Sequence, residues 1–178
     1  MNIQWFPGHM LETEKLLSKA ISKVDVVMEI LDARLPVSSA NPLLDKICQD
    51  KFRLKVLNKK DLADPFVTTQ WLDFFANEEN SFSVAICGTR KNDAKSALKF
   101  CVDKIVRNRA RKLKVMVIGI PNTGKSTILN TLSGKKIAKT GNVPAITRHN
   151  QRASLSNNID IYDTPGILWP VIEPEDRA

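Results

Sequence analysis

A chain of 178 residues, 43% hydrophobic and 26% charged, has the length and composition of one globular domain that can bury its own core without disulfide staples. No apolar run reaches the ~18 residues of a membrane span, and Met1 to Met10 lacks the pattern of a signal or transit peptide, so a cytoplasmic location and no membrane partner are expected. The formal charge of +8 favours a polyanionic partner, because neutralised phosphates release counterions.

Helical and strand patterns alternate along the chain, which predicts an α/β fold: a mainly parallel sheet with helices on both faces. Leu11 to Ser22 is an amphipathic helix, with Leu16, Leu17, Ala20 and Ile21 on one side, so residues 1–24 form an N-terminal extension and helix. Asp25 to Leu31 is a strand, and Pro42 to Gln49 a helix with proline in its first turn. Arg53 to Leu57 is a second strand, followed directly by Asn58; Pro65 then opens a helix through Ala76. Ser81 to Ile86 is a third strand. Asp93 to Arg107 is helical, with Ala97, Leu98, Cys101, Ile105 and Val106 as its apolar stripe. A basic run follows, Lys104, Arg107, Arg109, Arg111, Lys112 and Lys114, which is either a solvated helix face and linker or an RNA contact. Leu113 to Ile118 is a buried strand entering Gly119, Lys125 to Leu132 a helix, and Arg152 to Leu155 with Ile159 to Tyr162 a hairpin. Cys48, Cys87 and Cys101 have no zinc spacing and an odd count, which suits buried, reduced thiols.

Three motifs carry chemistry. Gly119, Ile120, Pro121, Asn122, Thr123, Gly124, Lys125, Ser126 and Thr127 follow an apolar strand and open a helix, the setting of a phosphate-binding loop. Glycines let backbone N–H groups turn inward, and the helix N-terminus adds positive potential. Lys125 supplies a point charge for the β- and γ-phosphates, and the Ser126 hydroxyl is a ligand for Mg²⁺.

Asn58, Lys59, Lys60 and Asp61 stand at the end of a strand. A carboxylate there accepts two hydrogen bonds from guanine, one from the ring N–H and one from the amino group; adenine cannot offer that pair, and leaving Asp61 unpaired is costly. Asn58 and the aliphatic stem of Lys59 are expected to hold the base from the side. Asp163, Thr164, Pro165 and Gly166 follow the last strand, where Asp163 can hold Mg²⁺ through water and the Gly166 N–H can meet a γ-phosphate. Thr147 lies between as a second Mg²⁺ hydroxyl. The base motif precedes the phosphate loop, the reverse of the conventional order. A sheet tolerates this when the original ends are joined, here through Arg107 to Lys114, and the chain is re-cut shortly after Gly166.

Further residues sharpen the reading. Trp5 to Met10, Asp32 to Pro36, Asn41 with Pro42, Lys139 to Asn142 and Asp163 to Pro170, together with the base and phosphate motifs, resemble the YlqF/RbgA family of circularly permuted GTPases. The resemblance covers essentially the whole chain. It implies a Ras-like P-loop GTPase domain over residues 1–178, hydrolysis of GTP to GDP with Mg²⁺, and assembly of the large ribosomal subunit or its precursor, with ribosomal RNA and not DNA as partner. The family continues into a helical RNA-binding domain, so this chain is expected to be the GTPase part of a longer protein. The chain departs from the family at Ala145 before the switch threonine, and Ile86, Cys87 and Gly88 stand where the base-stacking loop is expected.

The usual water-orienting glutamine is replaced by Ile167, whose alkyl side chain cannot orient water. His9 is one substitute, as proton acceptor or water-steering group, although a turn-capping or RNA-contacting role suits it somewhat better, since nothing in the sequence places it near the phosphates; His149 has a weaker claim. A K⁺ ion held by the Asn122 side-chain carbonyl is another, and the particle itself a third. The leading function is therefore a slow GTPase switch stimulated by ribosomal particles. The alternative is an RNA-binding assembly module that keeps GTP as a structural ligand, and Asp61 argues against an ATP-dependent kinase.

Overall fold

The aliphatic runs Val26–Asp32 (β1), Phe52–Asn58 (β2) and Leu113–Ile118 (β4) suit strands covered on both faces. In the computed structural model, which describes residues 14–15, 17–48, 51–78, 80–105, 112–135, 151–156 and 159–163, they join Ser81–Ile86 (β3), Gln151–Ser156 (β5) and Ile159–Asp163 (β6). The six strands form one sheet in the order β3-β2-β1-β4-β6-β5. All neighbours run parallel except β5, which is antiparallel to β6.

Alternation along the strands sorts the core into two faces. Val26, Met28, Ile30, Leu54, Val56, Val115 and Val117 face one way and are covered by α5 (Lys91–Ile105) and α6 (Lys125–Ser133). On the other face Val27, Met116 and Ile118 meet Leu17 and Ile21 of α1 (residues 17–21) and Leu44 of α3 (Pro42–Ile47). Leu31 and Leu57 meet Phe75 of α4 (Pro65–Ala76). Helix starts follow local chemistry: the Asn41 and Asp64 side chains accept from the Leu43 and Val67 amides, each just before a proline at the first helical position.

Several elements differ at their edges from the sequence reading. α5 begins at Lys91, two residues before Asp93, because the Asp93 carboxylate sits inside the first turn and accepts the Cys87 amide. A four-residue helix, α2 (Pro36–Ser39), and a 3₁₀ turn (Lys60–Leu62) were not anticipated; both are too short to show periodicity. The N-terminal part of the first predicted helix and its Leu16, with Val106 and Arg107 of the fourth, lie outside the described residues. All three cysteines are buried and free, and burial pushes the Cys48 and Cys101 thiols up to about 12, as expected of inert core residues.

The α4 side also buries charge. Arg53 and Lys55 point into it from β2, and Glu78 pairs with both, at 2.8 Å and 2.6 Å. Asp45 takes the other Arg53 nitrogen, and Lys55 lies 4.2 Å from the Phe75 ring centroid. Glu29 on β1 is fully buried and accepts the Asn41 amide; burial pushes its carboxyl above the usual glutamate range, against the pull of Lys55 and Arg53.

Candidate nucleotide site

Strand register brings the chemical residues to one edge of the sheet. Asp32 lies opposite Asn58, and Asn58 opposite Ile86, so the turns after β1, β2 and β3 leave the sheet side by side. Glu29 lies opposite Ile118, and Val117 opposite Asp163, which delivers the loop after β4 and the end of β6 to the same edge. Ligands of open α/β sheets bind at this carboxyl edge.

Asn58 ties three of these turns together. It is the last residue of β2 and is almost fully buried. Its Nδ2 donates to the Thr123 carbonyl at 2.8 Å, and its Oδ1 accepts the Gly88 amide at 2.8 Å. These two bonds use one Nδ2 hydrogen and one Oδ1 lone pair, so Asn58 fixes the spacing of the phosphate loop and the loop after β3 and keeps one amide hydrogen beyond them. Two glycines make room for it. A side chain at Gly124, whose φ is +97°, would run into the Asn58 amide, and one at Gly88 would meet Asn58 Oδ1 and Ile128 Cγ1.

Lys59 follows in the left-handed region, with φ 63° and ψ 35°. Its Nζ donates to the Asn122 carbonyl of the phosphate loop at 2.7 Å and to Asp32 Oδ2 at 2.8 Å. Lys60 turns away and pairs with Asp93 at 2.8 Å; this ion pair, with the Cys87 amide, holds the Asp93 carboxyl below the usual range. Asp61 is exposed in the 3₁₀ turn, and among the described residues nothing pairs with its carboxylate.

The phosphate loop runs from Gly119, where a Cβ would sit 2.5 Å from the Ile30 carbonyl, to Gly124 at the start of α6. Asn122 has φ 66° and is exposed; Thr123 is buried, its hydroxyl on the Ile120 carbonyl at 3.0 Å. Lys125 Nζ donates to the Ile120 carbonyl at 2.8 Å, so its ammonium lies over the loop. The amides of Lys125, Ser126 and Thr127 fall in the first turn of α6, where no intrahelical acceptor exists and no side chain caps the helix, a setting that suits an anion.

The loop after β3, where Ile86, Cys87 and Gly88 were expected to stack on the base, uses two of its amides within the protein. Ile86 is in the core, the Cys87 amide is taken by Asp93 at 2.9 Å, and the Gly88 amide by Asn58. Thr89 is therefore the first residue of this loop that can present a backbone N–H to a ligand. Asp163 ends β6 by its backbone; its side chain, and His9, Thr147, His149, Gly166 and Ile167, lie outside the described residues. Sequence reasoning quoted Asp32 and Arg34 only as a resemblance, yet Arg34 clamps the Asp32 carboxylate through Nε at 2.9 Å and Nη2 at 2.7 Å. Asp32 held below the usual aspartate range by Arg34 and Lys59 is the mark of a carboxylate fixed as an anion.

A phosphate loop after β4, a base-reading turn after β2 and this strand order define a circularly permuted, Ras-like P-loop GTPase domain. The family described as 50S ribosome-binding GTPase matches residues 114–178. Ribosome biogenesis GTPase A of Priestia megaterium is 43% identical over 98% of this chain and 64% of its own length. A GDP-bound structure of YlqF matches with a TM-score of 0.61 and 30% identity, over 86% of this chain and 58% of that one. YjeQ from Thermotoga maritima, 16% identical with a TM-score of 0.52 over 81% of this chain and 48% of its own, shares the fold. The chain is similar over nearly all of its length to the YlqF/RbgA family of circularly permuted GTPases, and it spans just under two thirds of the length of the curated relatives it matches.

Proposed function

We propose that this chain is the GTP-hydrolysing switch of a factor that assembles the large ribosomal subunit, slow alone and stimulated by the particle. The carrying observation is the wiring of the base turn to the phosphate loop, Asn58 to Thr123 and Lys59 to Asn122, which gives one ligand both a base contact and a phosphate cradle. Asp61 reads guanine by accepting from its ring N–H and amino group. The stem of Lys59 lies along the base, and Thr89 offers the N–H that Cys87 and Gly88 cannot. The amides of α6 cradle the phosphates, and Lys125 leaves the Ile120 carbonyl for the β- and γ-oxygens.

Ser126, Thr147 and Asp163 make an all-oxygen donor set that suits Mg²⁺, which when bound neutralises charge on the phosphates. The Gly166 N–H meets the γ-phosphate. Because Ile167 cannot steer water, Asn122 with K⁺, His9 or the particle completes the site.

Ribosomal RNA is the polyanion that fits the charge. Residues 91–114 carry nine Lys and Arg against Asp93 and Asp103, which is nearly all of the net +8 of the chain. Lys91, Lys95 and Lys99 repeat at four-residue spacing along α5, all exposed; like charges so placed repel, and phosphates relieve them.

The test is turnover with and without large-subunit particles, and co-sedimentation with those particles in GDP and in a non-hydrolysable GTP analogue. Stimulated turnover and nucleotide-dependent sedimentation are expected. Nucleotide-independent binding without turnover would favour an RNA-binding module that holds GTP structurally. Competition by ATP as strong as by GTP would remove guanine recognition.

A further inference from the structure

We infer that Asp32 is a positioning residue for guanine nucleotide that acts through Lys59, an inference that rests on the nucleotide reading above. Lys59 is a long side chain that is left loose in most surface turns. Here it is pinned at its tip by two acceptors on different strands' turns, Asp32 Oδ2 at 2.8 Å and the Asn122 carbonyl at 2.7 Å. The carbonyl is neutral; the carboxylate is the only charged acceptor at that tip among the described residues, and charge-assisted bonds are the stronger kind.

The carboxylate is itself held in place. Arg34 takes both of its oxygens, the Arg34 amide donates to Oδ1 at 3.1 Å, and the Asp32 amide donates to the Ser39 hydroxyl at 2.9 Å. Asp32 is therefore a rigid post at the end of β1, and register sets it opposite Asn58, one residue before the lysine it holds. The consequence is that the Lys59 stem is ordered across the base-reading turn before any ligand arrives. Without the post, binding must order that stem, and ordering is lost affinity.

Among the described residues, the Asp32 side chain meets the phosphate loop only through Lys59, whose Nζ also donates to the Asn122 carbonyl. Its loss therefore weakens di- and triphosphate alike, raises KM and leaves kcat at saturation in place. The Lys59 stem lies against any purine face, so the preference of guanosine over xanthosine nucleotides, set by Asp61, is also unmoved.

The experiment measures affinity and release of fluorescent GDP and GTP for wild type, Asp32→Asn, Lys59→Met and the double variant, with thermal melting of each. Asn keeps an acceptor for the Arg34 amide, which protects the turn. Asp32→Asn is expected to raise Kd roughly tenfold for both nucleotides, chiefly through faster release, as the loss of a charge-assisted hydrogen bond implies. In the Lys59→Met background the same change should shift Kd by less than about twofold, since its route is gone. Equal effects in both backgrounds would show that Asp32 serves its own turn and overturn the inference. Wild-type affinity in Asp32→Asn would overturn it too, with the nucleotide reading intact. A wild-type chain that binds no guanine nucleotide would overturn both.

Discussion

Replacing Asn58 with alanine removes one side chain and disconnects three turns. Two hydrogen bonds are lost, to the Thr123 carbonyl and from the Gly88 amide, each at 2.8 Å and both buried. A neutral bond of this kind contributes about 1 kcal/mol, and a buried backbone group left unsatisfied costs about 1–3 kcal/mol. Water entering the vacated space recovers part of that, so the net loss is expected near 3 kcal/mol. In a domain of this size it lowers Tm by roughly 6–12 °C. Asn58→Asp sharpens the test because it hardly changes shape. The acceptor for Gly88 remains, but a carboxylate oxygen now faces the Thr123 carbonyl, so this variant should be destabilised at least as much as alanine. Urea unfolding at neutral pH, read as a shift in midpoint at constant slope, gives both values. A loss below about 1 kcal/mol in both variants would refute the role assigned to this amide.

Asp61→Asn should weaken GTP and favour xanthosine nucleotides, whose ring carbonyl accepts the new amide N–H; unchanged GTP affinity would mean that another group reads the base. Hydrolysis in matched KCl and NaCl should be faster in K⁺ for wild type and equal for Asn122→Ala, and equal wild-type rates would remove the cation. Glu78→Ala should destabilise the fold by about 3 kcal/mol or more, because it leaves buried Arg53 and Lys55 short of their shared partner; a loss below about 1 kcal/mol would show that Asp45 and Glu29 suffice. The two shifted carboxyls have opposite pH signatures. Asp32 is lowered in the fold, so its stabilisation is present above the ordinary aspartate value of 3.8 and is lost as pH falls, a dependence Asp32→Asn should remove. Glu29 is raised, so the folded state holds its proton longer and stability falls as pH rises from 4.5 through the folded value; Glu29→Gln should flatten that slope in urea melts across pH.

The elements with strong periodicity were legible in the sequence. Pro65–Ala76, Ser81–Ile86 and Leu113–Ile118 carry their own stop signals or unbroken apolar runs, and the structure gives them those bounds. The phosphate loop was legible because its spacing and its strand–helix setting together leave few alternatives. Side-chain commitments were not legible. Nothing local to Asn58 says that its partners are 65 and 30 positions away. Nor does the spelling of Ile86, Cys87 and Gly88 show that Asp93 and Asn58 already hold two of the amides. Arg53, Glu29 and Lys55 look like exposed positions of amphipathic strands, yet all three are buried and held by Asn41, Asp45 and Glu78 from outside their own strands.

Those long-range bonds explain why the permuted order costs the site little. The loop after β4 meets the turn after β2 across β1, so what joins them is strand adjacency and register, not which came first in the chain. Re-cutting the chain elsewhere leaves every one of these distances unchanged, provided the sheet order survives. What permutation does change is when the site closes. β1, β2 and β3 pair with one another within residues 26–86, through parallel strands linked by α4 and shorter connections. Asn58 can find Gly88, two residues beyond β3, without the rest of the chain, whereas its Nδ2, and the Asn122 contact of Lys59, must wait for the phosphate loop that follows β4. Asn58 and Lys59, in the turn proposed to read the base, thus form their last bonds only when the phosphate loop docks, which couples completion of the fold to assembly of the proposed nucleotide site. Bound nucleotide, spanning both halves, should therefore stabilise the whole domain by mass action and not merely one loop.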